Sequence, residues 1–280
     1  MDGTGVTAGT ETPAGRGLNP DGTIAREGAL DRVPGAFTGV VAAARAIIVR
    51  ESGALGLHSA HLYGSVPRGT AVPGVSDLDL LLILHRPPAR GDRERADAMA
   101  DALDRAHPEA DGVGILLADA GSVLSEAERH DLGFFVACLC TPLLGEDLAA
   151  RLPGYRPTSL LARETNGDLA RVLPRWRERA AAAATGEELR RLTRTVARRI
   201  VRTGFTLVMP RWQGWTSDLE RSAEIFARYH PGRAGQMRTA ARLARSPVAD
   251  PALLRMLTED LGPWLAAEYT AAHGEKAPRP

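Results

Sequence analysis

The chain has 280 residues, 44% apolar and 25% charged, the balance of a globular protein of about two domains. With 35 basic against 34 acidic residues the net charge is +1, and no segment carries the basic stripe of a nucleic-acid binder. The longest apolar runs, such as 78–84, fall far short of the roughly 20 residues that a membrane-spanning helix needs, so no membrane partner is expected.

Residues 1–35 are rich in Gly, Thr, Pro and Asp, too poor in large apolar side chains to offset their ordering entropy, and read as a flexible tail. Residues 1–20 have neither a basic start nor an apolar stretch, so no secretory signal is expected. From 36 to 51, Val40, Val41, Ala44, Ile47 and Ile48 share one helical face. A short strand over 59–63 ends at Gly64-Ser65, and a loop with Pro67, Gly69, Pro73 and Gly74 follows. The unbroken apolar run 78–84 reads as a strand buried on both faces, stopped by Pro87-Pro88. A helix over 92–107 turns Ala96, Met99, Ala100 and Leu103 inward; a strand at 113–117, a helix at 131–139 and the segment 142–145 complete an α/β pattern. Cys138 and Cys140 lie on an apolar stretch and read as buried small side chains. Two cysteines make no disulfide framework, so a reducing, cytoplasmic location is expected.

The texture changes near 150–158, beyond which no strand is evident. Apolar residues repeat at helical spacing over 187–209, and further helices are expected at 217–229, 234–245 and 251–267, with Pro263 kinking or shortening the last. The expected organisation is a tail over 1–35, an α/β domain over 36–155, a helical bundle over 156–272 and a flexible end over 273–280.

The chemistry concentrates in Leu62-Tyr63-Gly64-Ser65-Val66-Pro67-Arg68-Gly69 and Ser76-Asp77-Leu78-Asp79-Leu80-Leu81. A strand ending in Gly-Ser lets backbone N–H groups and a hydroxyl approach an anion closely, because glycine has no side chain to exclude it. Asp77 and Asp79, two residues apart at the start of a strand, point to one face. Two carboxylates there repel each other, and Mg²⁺, which takes carboxylate and phosphate oxygens together, relieves the cost. A phosphate cradle beside such a pair describes a site for nucleoside triphosphate chemistry.

This pattern resembles the nucleotidyltransferase superfamily typified by DNA polymerase β, whose signature is Gly-Ser with Asp-x-Asp. The helical second half and the segment Thr141-Pro142-Leu143-Leu144-Gly145-Glu146-Asp147-Leu148 resemble its small-molecule, aminoglycoside nucleotidyltransferase-like branch. The resemblance implies an α/β (α+β) nucleotidyltransferase domain with a mixed sheet, followed by the helical bundle. It implies Asp77 and Asp79 as metal-binding catalytic residues, and Gly64 and Ser65, with Arg68 and Ser76, as nucleotide-binding. The implied reaction is attack of a hydroxyl on the α-phosphorus of ATP or another triphosphate, pyrophosphate leaving, with Mg²⁺ required. A third carboxylate on the following strand belongs to the pattern. Here Gly112 and Gly114 stand where an acid would sit; Asp111 lies just before the strand and Asp119 just after it, and Asp111 is the expected choice.

Lys276 is the only lysine, so a basic contact to phosphate must come from arginine. The arginine cluster at 190–202 reads as a solvated face or, as the resemblance implies a basic residue from the second domain on the triphosphate, as a source of such contacts from Arg199 or Arg202. His58 and His61 read as structural. Trp212 and Trp215, with Asp218 and Glu220 behind them, read either as an acceptor-pocket wall or as packing between helices. The expected activity is transfer of AMP from ATP to a small molecule, an aminoglycoside-like antibiotic or other natural product, by a monomer or homodimer. The rivals are a protein-adenylylating enzyme of toxin–antitoxin type and a catalytically degenerate nucleotide-binding scaffold.

Overall fold

The computed structural model describes residues 11–278. They form two compact units: Ala25–Tyr155, and the residues up to Ile24 together with those from Arg156 onward.

The first unit is built on a mixed four-stranded sheet of β1 (Leu57–Tyr63), β2 (Leu78–Leu84), β3 (Val113–Asp119) and β4 (Cys140–Gly145), in the order β3-β2-β1-β4. The run 78–84 takes a central place, antiparallel to β1 and parallel to β3. Its apolar continuity has a direct cause. Leu78, Leu80, Leu82 and Leu84 pack into one core with the first helix, α1 (Thr38–Leu55), while Leu81 and Ile83 pack into a second core with Val136, Cys140 and Leu148. After the helical turn α2 (Ser65–Arg68) and β2, helix α3 (Arg90–Ala106) makes the crossover that a parallel β2–β3 pair requires, burying Ala96, Met99 and Leu103. α4 (Ala120–Leu124) follows β3. The helix expected over 131–139 is present in wide π form, Arg129–Gly133 and Phe135–Leu139 joined through Phe134 in helical conformation, and leads into β4 beside β1.

The second unit is helical: α5 (Ser159–Asn166), α6 (Leu169–Ala182), α7 (Gly186–Trp212), α8 (Leu219–Tyr229), α9 (Ala234–Arg245), α10 (Pro251–Arg255) and α11 (Gly262–His273). α7 is capped by Thr185 and Glu188, whose side chains bond reciprocally to each other's backbone N–H, and it buries Leu192, Val196, Ile200 and Phe205. A π turn at Met256–Leu261 joins α10 to α11, and Pro263 sits in the first turn of α11, where a missing N–H costs little.

Two expected tails differ. Residues 1–10 lie outside the described residues, but from Arg16 on the chain is anchored. Leu18 bridges Ile24, which is buried; Arg16 donates to Trp212 O at 2.7 Å; and Arg26 grips the Asp147 carboxylate with two bonds of 2.8 and 3.0 Å. A few arginine and apolar anchors dock a segment whose composition reads as tail. At the other end Lys276 N–H donates to Gly167 O at 3.0 Å and Arg171 donates to Lys276 O at 2.8 Å, so 273–278 also lies against the bundle.

Candidate active site

β1 ends at Tyr63, which pairs with Asp79 across the β1–β2 ladder. The next residue, Gly64, has φ 81° and ψ −150°, a backbone that L side chains rarely adopt. A Cβ there would stand 2.4 Å from Asp79 Oδ2, so glycine alone lets the turn lie against that carboxylate. Ser65 opens α2, which closes on Gly69 in the left-handed region. On the other side of β2 stand Gly112, just before β3, and Gly114, within it. Cβ positions built on them lie 3.7 Å from Asp77 Oδ1 and 3.5 Å from Asp79 Oδ1. Asp77 and Asp79 thus share one face of the sheet, between a glycine turn on the β1 side and a glycine pair on the β3 side.

The remaining expected residues fall unevenly around this centre. Arg68, on α2, lies 3.6 Å from the Glu27 carboxylate, an ion pair that the sequence did not suggest because 1–35 reads as tail. The strap that carries Glu27 is held by Glu27 N–H to Cys138 O and Ala29 N–H to Pro67 O, each 2.9 Å. Ser76 braces the loop before β2, its Oγ accepting from Val72 N–H at 3.0 Å. Asp111 is exposed, and its N–H donates to Ser76 O at 3.0 Å, which puts it at the aspartate end of the sheet. Asp119 is excluded from that end: it pairs with Leu84 at the far end of the strands and caps α4, accepting from Ser122 N–H and Oγ.

Arg199 and Arg202 belong to the helical unit. The Arg199 guanidinium is bonded to the Asp168 carboxylate in its own bundle, and the Arg202 side chain is exposed. Trp212 and Trp215 are buried edge-on against Phe205, which makes them core residues and not a pocket wall. Asp218 caps α8 and Glu220 pairs with Arg245. His61 is buried beside Ser59; burial pushes the thiols of Cys138 (to about 12) and Cys140 up, as inert core residues.

Among the described residues no group of three or more His, Cys, Asp or Glu side chains could hold a metal. The Asp77–Asp79 pair nevertheless suits Mg²⁺, a hard ion usually held by one or two carboxylates and completed by phosphate and water oxygens. The side-chain-free turn at Gly64 brings the backbone itself against Asp79.

Residues 47–113, from within α1 to the first residue of β3, match the family model described as "Nucleotidyltransferase domain". Strands β1 and β2, the Gly64 turn and the two aspartates lie in that stretch, so this part of the chain is similar to a nucleotidyltransferase domain. Among solved structures, the chain is similar to spectinomycin adenyltransferase AAD(9) from Enterococcus faecialis, solved with ATP and spectinomycin. The identity is 12%, the match covers 83% of this chain and 98% of that chain, and the TM-score is 0.49. No curated protein matches the chain.

Proposed function

We propose that the protein is a Mg²⁺-dependent nucleotidyltransferase that moves a nucleoside monophosphate, AMP from ATP, onto a hydroxyl of a small molecule such as an aminoglycoside-like natural product. The observation that carries this reading is the approach of the Gly64 backbone to Asp79, with Asp77 on the same face. The turn at Gly64-Ser65 offers backbone and hydroxyl to the terminal phosphates, and Asp77 and Asp79 hold Mg²⁺. When bound, Mg²⁺ neutralises charge on the phosphates and on the departing pyrophosphate. Arg68 serves the triphosphate once a phosphate takes over from the Glu27 carboxylate, and Ser76 keeps the loop before β2 in place. Asp111, at the aspartate end of the sheet, takes the acceptor's proton.

Calorimetric titration of ATP, with Mg²⁺ and with EDTA, tests the reading on the wild type and on Asp77→Ala/Asp79→Ala. Binding that needs Mg²⁺ and is lost in the double variant is the expected result. A wild type that binds none of the four nucleoside triphosphates would refute the transferase reading.

A further inference from the structure

We infer that Gly112 and Gly114 are specificity-determining positions of this site: they form the backbone floor on which the acceptor lies, and they select a hydroxyl carried directly on a ring. The inference rests on the nucleotidyl-transfer reading and narrows its substrate.

The two oxygens of Asp79 face opposite neighbours. Oδ2 faces the Gly64 turn on the β1 side, and Oδ1 faces Gly114 on the β3 side. In-line displacement sets the attacking and leaving oxygens on opposite sides of the phosphorus. With the phosphate tail at Gly64-Ser65, the leaving pyrophosphate is on the β1 side of the carboxylates. The acceptor oxygen therefore comes from the β3 side, where Gly112 and Gly114 stand. In the step itself the acceptor O–P bond forms, the bond from the α-phosphorus to the bridging oxygen breaks, pyrophosphate leaves with that electron pair, and the hydroxyl proton passes to Asp111 or to water.

Neither glycine is demanded by the backbone. Neither has a positive φ, and a Cβ at either would make only ordinary van der Waals contact with the aspartates. Glycine inside a strand weakens it and marks a bulge, a tight bend or the close approach of a ligand or another backbone; β3 runs beside β2 in unbroken register from Val113 on, so Gly114 marks neither of the first two. Here the strand registers Gly114 directly beside Asp79. A ring-borne hydroxyl brings ring atoms within two bonds of the attacking oxygen and needs flat space at that point, whereas an open-chain primary hydroxyl can reach past a side chain.

The test compares wild type, Gly114→Val, Gly112→Val and the milder Gly114→Ala. Thermal melting, Mg²⁺–ATP affinity by calorimetry, and pyrophosphate release are read for each, with a panel of aminocyclitols and cyclitols, whose hydroxyls are all on the ring, against open-chain primary alcohols. The expected result is unchanged melting and ATP affinity within about twofold, with kcat/KM for ring acceptors down tenfold or more in the valine variants and less in the alanine variant. If Gly114→Val melts early, Gly114→Ala and Gly112→Val decide. Equal loss of ATP affinity would place the floor on the triphosphate side and overturn the inference. So would unchanged kinetics, or a wild type that binds ATP yet releases pyrophosphate with no ring acceptor. Failure of wild-type ATP binding strikes the transferase reading instead.

Discussion

His61 lies in β1 with no exposed surface, its Nε2 3.1 Å from Ser59 Oγ and its Nδ1 without a hydrogen-bond partner among the described residues. Burial lowers its pKa from 6.5 to about 4, against the pull of Asp147. Between those values the unfolded chain binds a proton that the folded one refuses, so stability falls as pH drops from 6.5 to about 4 and is unaffected by this group above 6.5. His61→Gln removes the titration, and its melting temperature should decline less than the wild type's across that window; parallel declines would show that the imidazole is not excluded from water. At this scale the motif was legible: Gly64, Ser65, Asp77 and Asp79 stand out by residue type and spacing. The reason Gly64 must be glycine was not, because it lies in a φ value and in a contact with a residue 15 positions away.

β2 shows how far an element can be read from pattern. A run of seven residues with one polar member, Asp79, has only one economical place, the middle of a sheet covered on both faces, and both cores close on it. Leu82→Ala should therefore cost about 2–5 kcal/mol. Leu116→Ala, on the edge strand β3 and half-exposed, should stay within about 0.5 kcal/mol, and urea unfolding of the two variants checks the contrast. Where period alone was the guide, the reading was less complete. The apolar spacing over 131–139 reads as a helix and is one, but the spacing does not show that its turns are π-wide. Trp212 and Trp215 fit a pocket wall or a core equally well in sequence, and only their packing on Phe205 separates the two.

At the scale of the molecule, the described residues before Ala25 do not hang free. Arg16 stacks over the Trp212 ring and bonds its carbonyl, and Trp215 N–H donates to Arg16 O at 2.8 Å. Deleting residues 1–24 should lower the melting temperature and red-shift the tryptophan emission as both indoles meet water; an unchanged spectrum would return the segment to the status of a tail. The sequence by itself determined the α/β-then-helical order, the central strand, and the Gly-Ser and Asp-x-Asp constellation. Those signals are local: hydrophobic period, turn chemistry and the spacing of acids along one strand. Only the tertiary structure decided that 11–35 is packed, that Asp111 and not Asp119 stands at the aspartate end, that Arg199 is tied to Asp168, and that glycines flank Asp79 on both sides. The places of Asp111 and of the glycines depend on which strands are neighbours and in what register, which burial across the whole sheet sets; the packing of 11–35 and the Arg199–Asp168 pair depend on contacts between residues far apart in the chain.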